Sequence, residues 1–562
     1  MQAFEIALSR AQWQPVLFAD RPTRFSLLKL RPTWPLAPVV IRVHRNHAFE
    51  HVGDASVPWF AWWGRAPKFL YSDYDDSLSF AVAEDTSAHL EVIWLDLGRY
   101  HERSDGASLH DWIAERIAAL RARLTAPILF IPVGAHDADY PGLAGAVSRT
   151  PGARMADLRP LQAELGADFF DTRAALHSGT NLSDAACILV ARELACRWAP
   201  ALLRPRIKAV ALDLDQTLFA GVLGEDHHAV HLTAEHAALQ RRLAEFRSQG
   251  IFLALVSRND LADVRRLFEH RSDFPLQWDH FSAAAIGWQD KAESLRQVAR
   301  TLNIGEDAIL FVDDNAGEIA NAAGQLPGLA TLHAQEDASM TRRALEYYPG
   351  LWSWGDQEAD NLRIADLAAS QKRLQMAAEL SDPAEYLRSL GVELKIEVSP
   401  ARSLVRCHQL SQKTNQFNLN LQRLSEAALA EALGSRDSRV VLISLADRLA
   451  DSGPVGLLVA QREGDALVIS ELAISCRALG RRLEDLMVAE AVHAVLAELP
   501  ASRVEFLHRT GPRNAPARDW LMRFAGPLPD EGRAPVGDEF MKVTARAYPV
   551  TVTVKSDERS ND

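Results

Sequence analysis

The sequence predicts an α/β protein of several domains. Three observations carry that expectation. The chain has 562 residues, enough for about three or four domains at roughly 150 residues each. Its composition, 48% apolar and 24% charged, is that of a globular protein and excludes a fibrous or wholly disordered chain. Short apolar runs alternate with stretches of helical spacing along most of its length.

Taken in order, residues 39–43, 92–95 and 128–131 read as buried strands, with helical spacing at 110–124 and 183–198. That rhythm predicts a parallel sheet with crossover helices. Arg204-Pro205-Arg206 then punctuates the chain, and a second α/β rhythm runs from Lys208 to about Leu332. A mostly helical connector follows to about Leu380, broken by Tyr348-Pro349-Gly350. The third region offers strands at 392–396, 440–445, 455–460, 466–473 and 503–507, with helices at 403–417, 481–499 and 515–524. A strand that runs through a turn into a long helix, within a mixed sheet, is the pattern of an acyl-transferase-like fold. The expected boundaries are 1–203, 204–336, 337–385 and 386–550, with a frayed tail over 551–562.

Charge and cysteine content exclude several classes. Lys and Arg number 61 against 74 Asp and Glu, a formal charge of −13, which argues against a general nucleic-acid binder. The four cysteines (Cys187, Cys196, Cys407 and Cys476) form no CxxC pair, so neither a disulfide framework nor a cysteine zinc site is indicated. No signal-peptide pattern and no run near 18 apolar residues occurs, so a soluble, cytoplasmic protein with no membrane partner is expected.

The most informative stretch is Asp213-Leu-Asp215-Gln-Thr217, which places two carboxylates at the carboxyl end of an apolar strand. Ligands of open α/β sheets bind at that edge. The run at 251–256 ends in Ser257-Arg258-Asn259, the run at 308–312 ends in Asp313-Asp314, and Lys291 opens a helix between them. Such a set collects carboxylates that repel one another unless a hard cation such as Mg²⁺ joins them. One carboxylate can then attack phosphorus while its neighbour moves the proton. Either DxD or DD alone reads as a strand-capping turn; the four features in this order do not.

This constellation resembles the haloacid-dehalogenase superfamily of phosphoryl-transfer enzymes. The resemblance implies Asp213 as nucleophile, Asp215 as acid and base, and Ser257 and Lys291 as phosphoryl holders. Asp213, Asp215, Asp313 and Asp314 would be the Mg²⁺ residues, with either Asp313 or Asp314 bonding the ion directly, and Thr217, Arg258 and Asn259 would line the substrate. The run from Asp213 through Gly221, Gly224, Glu225 and Asp226 further resembles the DLDNTLWGGVIGEDG signature of the FkbH-like family, subfamily IIIC. It departs from that signature at Gln216, Ala220 and His227. Lys413-Thr-Asn415-Gln416-Phe-Asn418 and Ile474-Ser-Cys476-Arg477-Ala-Leu-Gly480-Arg481-Arg482 also fit it.

The family implies a glyceryl transferase/phosphatase in polyketide-type biosynthesis. Such an enzyme takes 1,3-bisphosphoglycerate, a small phosphorylated three-carbon acid, and delivers a glyceryl thioester to the phosphopantetheine arm of an acyl carrier protein. Cys476 is the candidate acyl carrier, because neighbouring arginines and a helix start would lower a thiol pKa; a gap-filling core cysteine is the competing reading. Lys413, Asn415, Gln416, Asn418, Arg477, Gly480, Arg481 and Arg482 are the candidate substrate-binding residues of this region, the turn resembling the coenzyme A diphosphate cradle of acetyltransferases of the GNAT type. The first domain resembles the SGNH-hydrolase or flavodoxin-like layout. No serine stands at His44-Arg45-Asn46-His47 after its first strand, so docking is expected there rather than ester hydrolysis. His44, His47 and His51 lack a fourth metal ligand and are expected to be solvated or satisfied, and Trp59, Phe60, Trp62 and Trp63 to pack in the core. Two other readings stay open: a plain phosphatase of a small metabolite with an inert third domain, and a non-catalytic assembly module.

Overall fold

A computed structural model describes residues 2–80, 87–100, 109–173, 175–223, 230–354, 358–380, 382–479 and 481–556. The chain forms two compact units, 1–355 and 356–562.

The first unit holds two parallel sheets. One is built from β1 (Ala37–Arg45), β2 (Arg65–Tyr74), β3 (Leu90–Asp96), β4 (Ile128–Val133) and β5 (Ala153–Met155). Its strand order is β2-β1-β3-β4-β5, all parallel, which is the flavodoxin-like order. Every residue of β3 and β4 is buried, as expected of central strands covered on both faces. The expected aromatic core is present: Trp59, Phe60 and Trp62 are buried, and Trp63 packs against them. The second sheet comprises β6 (Ala209–Leu212), β7 (Phe252–Ser257), β8 (Ala283–Ile286), β9 (Ile309–Asp313) and β10 (Ala330–His333), ordered β10-β9-β6-β7-β8. It too is wholly parallel. One continuous apolar core joins both sheets, from Trp13 and Leu17 through Leu212 and Leu255 to Tyr348.

Strands β2 and β5 and the helix Gln2–Leu17 carry no clean periodicity and are additions to the sequence-based expectation. Gln2–Leu17 packs on the helix Ala316–Gln325. Its Gln14 exchanges two hydrogen bonds with the His333 backbone, at 2.8 and 2.9 Å.

The second unit is a mixed sheet with helices. Its strands are β11 (Glu393–Val398), β12 (Phe417–Asn418), β13 (Ser438–Ala446), β14 (Asp451–Glu463), β15 (Ala466–Ile474), β16 (Arg503–Arg509), β17 (Glu531–Val536) and β18 (Thr551–Ser556). The order is β17-β16-β15-β14-β13-β11-β18, with β12 set against β15. Two expectations are corrected here. Residues 551–556 are not a frayed tail: they form β18, parallel to β11, because Thr-Val-Thr-Val alternates β-branched side chains along an edge strand. The long helix begins at Glu484 rather than at 481, because Arg482 takes a left-handed backbone (φ 59°) that no α-helix continues. The expected connector also divides. The helix Ala338–Glu346 contributes Ala344 and Leu345 to the first unit's core, and the helix Glu358–Glu379 lies in the second unit.

Candidate active site

The strand order of the second sheet reverses between β6 and β9, which opens a crevice at their carboxyl ends. Asp213 directly follows β6 and Asp313 ends β9, so backbone pairing alone sets the two carboxylates side by side. The Asp213 N–H donates to the Val312 carbonyl at 2.9 Å, which fixes that register. Asp213, Asp313 and Asp314 each offer one oxygen, and the three lie within 4.8 Å of one another.

Lys291 answers part of this charge. Asp290 caps its helix by accepting from the Ala292 N–H at 2.7 Å, which holds the first helical residue, Lys291, at the crevice. The Lys291 ammonium donates to Asp313 Oδ2 at 2.5 Å and lies 2.8 Å from Asp213 Oδ1. The second contact is an ion pair, and Asp213 Oδ1 has no further hydrogen-bond partner among the described residues. Burial, and for Asp213 the neighbouring Asp313, raise the carboxyl pKa values of Asp213 and Asp313 despite the ammonium. Asp314 is also raised, by burial and by Asp213. Burial works against the Lys291 charge, but the two carboxylates outweigh it and raise its pKa. One ammonium does not neutralise three carboxyl groups, and the residual acidity suits a hard divalent cation.

Asp215 is held apart from this cluster. Its Oδ1 accepts from the Leu223 N–H and its Oδ2 from Asn259 Nδ2, both at 2.8 Å. Of the four residues expected to hold the metal, Asp213, Asp313 and Asp314 converge among the described residues, and Asp215 is oriented by these two donors. Asn259 also donates to Ser257 Oγ at 3.0 Å, so it orders two catalytic candidates at once. Thr217 is buried, and its hydroxyl has no hydrogen-bond partner among the described residues. The intervening Gln216 takes φ 54°, a left-handed conformation of the kind that clusters at functional turns. Arg258 was expected to bind substrate, but it pairs with Glu318 at 2.7 Å. Gly224, Glu225, Asp226 and His227 of the signature lie outside the described residues. His333 has no counterpart in the sequence reading: its Nε2 lies 2.7 Å from the Asp314 carbonyl and steadies the acidic loop. A histidine ending an apolar run was the only available signal.

In the second unit the expected thioester residues are sorted differently. Cys476 lies just beyond β15 and is partly exposed, whereas Cys187, Cys196 and Cys407 are buried. Burial raises the thiol pKa of all three, to about 12 for Cys187 and Cys407. The next helix in the chain starts eight residues after Cys476, at Glu484, so Cys476 does not stand at a helix start as expected. Arg481 is corrected from ligand binder to structural residue. It is 2% exposed, donating to Asp447 Oδ2 at 3.1 Å, to Ser452 Oγ at 2.8 Å and to the Arg477 carbonyl. Arg373 joins it, bonding both Asp447 oxygens and Asp366. Arg477 donates to the Pro454 carbonyl at 3.0 Å, Arg482 is exposed, and Gly480 lies outside the described residues.

Asn418 is likewise structural. It is buried, donates to Glu471 Oε1 at 3.0 Å and accepts from the Leu421 N–H at 2.7 Å. Strands β15 and β16 pair only as far as Ile469 and Phe506. Beyond that point β12 takes the β15 edge, with Phe417 opposite Ile474 and Asn418 opposite Ala473. Leu419 bridges the diverging strands, donating to the Leu472 carbonyl and accepting from the Arg509 N–H. The strand edge an extended ligand arm could use is thus filled by the chain itself. Asn415 accepts from Arg423, and Lys413 and Gln416 are partly exposed beside this segment.

No family model and no curated protein matches this chain. Solved structures do. The N-terminal part of the protein BF1531 from Bacteroides fragilis, which contains a phosphatase domain complexed with Mg, is 17% identical with a TM-score of 0.44, covering 56% of this chain and 95% of that one. A haloacid-dehalogenase-superfamily (subfamily III A) hydrolase from Legionella pneumophila is 18% identical, TM-score 0.16, covering 31% of this chain and 88% of that one. An N-acetyltransferase from Thermoplasma acidophilum, in complex with coenzyme A, is 9% identical, TM-score 0.17, covering 20% of this chain and 72% of that one. Each likeness stays under a TM-score of 0.5, and the chemistry that follows stands on the site's own geometry. No described helix is long and apolar enough to cross a membrane.

Proposed function

We propose that this chain is a Mg²⁺-dependent phosphohydrolase, and that it couples phosphate removal to transfer of a glyceryl group from 1,3-bisphosphoglycerate to an acyl carrier protein. One observation carries the first half: three buried or half-buried carboxylates within 4.8 Å, two of them bridged by Lys291. Asp213, Asp313 and Asp314 would hold the cation, whose chemistry when bound is to screen these charges and those of a phosphate ester. An Asp213 oxygen attacks phosphorus, and the bond from phosphorus to the leaving oxygen breaks. Asp215, oriented by Asn259 and Leu223, gives that oxygen its proton. It then takes a proton from the water that releases phosphate and restores Asp213. Lys291, Ser257 and Thr217 hold the phosphoryl oxygens. In the second half, the Cys476 sulfur attacks the acyl carbon of the carboxyl phosphate, phosphate leaves, and the thioester passes to the carrier's pantetheine thiol.

A second reading, a plain phosphatase of a small phosphorylated metabolite, is favoured by the self-filled β15 edge and the inward Arg481. Intact-mass measurement after incubation with 1,3-bisphosphoglycerate, Mg²⁺ and a phosphopantetheinylated carrier distinguishes the two. The coupled reading expects phosphate release with an acyl adduct that Cys476→Ala abolishes. Phosphate release with no adduct on protein or carrier selects the plain phosphatase. Phosphate release unchanged in Asp213→Asn removes both and leaves an assembly module.

A further inference from the structure

The first sheet has a crevice of the same kind as the second. Its strand order reverses between β1 and β3, so the carboxyl ends of those strands mark the place where a ligand fits an open α/β sheet. The residues there are polar and buried: Asn46 is 0%, His47 1% and Asp96 8% exposed. Asn46 locks the two strand ends together, accepting from the Asp96 N–H at 2.8 Å and donating to the Asp96 carbonyl at 3.3 Å. Asn181 donates to Asp96 Oδ2 at 3.2 Å, which brings a third segment to the same edge.

Tyr100, whose hydroxyl accepts from Asn46 Nδ2 at 3.4 Å and donates to the Asp76 carbonyl at 2.8 Å, ties Asp76 to this edge. Two polar atoms here, His47 Nε2 and Asp76 Oδ1, lack a hydrogen-bond partner among the described residues. Arg99 approaches the latter only to 3.9 Å. The His47 ring cannot swing toward water, because it stacks on buried Trp94 at 4.8 Å and its Nδ1 lies 3.1 Å from Thr180 Oγ1. Buried polar atoms of this sort mark a missing partner. Thr180 Oγ1 accepts from the Leu182 N–H, which leaves its own proton for His47 Nδ1. In that tautomer, assigned from the network, Nε2–H is a donor facing outward from the pair. Burial first, then Arg99 and Arg45, lower the His47 pKa to about 3, so the ring is neutral.

The charge around the crevice selects the ligand. The helix start that would cradle a phosphate after β1 is already occupied by Glu50, which accepts from the Phe49 N–H at 3.0 Å and pairs with Arg45 at 2.5 Å. Asp76 and Asp96 are answered by Arg99, 3.9 and 3.8 Å away, so the crevice favours neither an anion nor a cation. We propose that the crevice between β1 and β3 is a second binding site of this chain, taking a small neutral polyhydroxylated molecule whose hydroxyl groups accept from His47 Nε2 and donate to Asp76 Oδ1. The site is independent of the phosphoryl chemistry and gives the first domain a function without a nucleophile.

Saturation-transfer NMR on the full-length chain tests it, with glycerol, erythritol and myo-inositol as probes and inorganic phosphate as competitor. The expected result is transfer to at least one polyol, reduced about tenfold in Asp76→Ala and in His47→Phe, and unaffected by phosphate. His47→Phe keeps the stack on Trp94; if it fails to fold by circular dichroism, Asp76→Ala, at a half-exposed position, decides alone. Transfer to none of the polyols, transfer undiminished in folded Asp76→Ala, or displacement by phosphate overturns the assignment.

Discussion

Lys291 stands between two buried carboxylates, so its removal acts on folding as well as on chemistry. Breaking a buried ion pair from one side costs about 3–5 kcal/mol, because the remaining charge has no partner. Lys291→Met is therefore expected to lower the thermal stability of the first unit, and added MgCl₂ to recover part of it; calorimetry with and without Mg²⁺ checks this. His47 makes a prediction of a different kind. Its pKa is 6.5 in the unfolded chain and about 3 when folded, so the folded state resists protonation. Stability is fully present above pH 6.5 and is lost as pH falls toward 3, by about 2 kcal/mol at pH 5. Denaturant midpoints measured at pH 7 and pH 5 should show a smaller fall in His47→Phe than in the parent chain. The candidate-site residues were legible because the carboxylates and Ser257 end apolar runs and Lys291 opens a helix between two of them. The direction in which Asp215 points was not, since Leu223 and Asn259 approach it through a turn and a neighbouring strand.

The turn between β15 and the helix Glu484–Glu498 shows how neighbouring arginines acquire opposite roles. Arg481 is enclosed by Asp447, Ser452 and Asp366, and Arg482 is exposed. Arg481→Ala should destabilise the second unit by about 3–5 kcal/mol, whereas Arg482→Ala should shift it by no more than about 0.5 kcal/mol. Urea unfolding of the two variants side by side measures the contrast. The segment around β12 depends on Asn514, whose amide donates to the Asn418 and Arg509 carbonyls at 2.9 and 2.8 Å and whose oxygen accepts from the Gly511 N–H. Asn514→Ala strands these buried groups and should cost about 1–3 kcal/mol. If the variant instead keeps its stability and gains coenzyme A binding by calorimetry, the segment is a removable cover rather than a structural strand.

Because the three-carboxylate cluster belongs to one of two compact units, the proposed Mg²⁺ binding is expected to stabilise the two units unevenly. Mg²⁺ at about a hundred times its Kd adds about 2.7 kcal/mol to the unit that binds it. Scanning calorimetry should then show one transition raised by Mg²⁺ and returned by EDTA, with the other unmoved. A single transition displaced as one would contradict this. Within the first unit the Gln2–Leu17 helix reaches the acidic loop indirectly: Gln14 holds the His333 backbone, and His333 meets the Asp314 carbonyl.

Period and strand-end chemistry are local properties, and from them the α/β alternation could be read, as could the candidate set Asp213, Asp215, Ser257, Lys291, Asp313 and Asp314. Pairing order is not local. The reversal points of both sheets, the orientation of Asp215, the enclosure of Arg481 and the filling of the β15 edge each depend on residues far apart in the chain meeting in space. Charged and amide side chains have no periodicity that says whether they face a ligand or one another; packing and hydrogen-bond satisfaction settled that here.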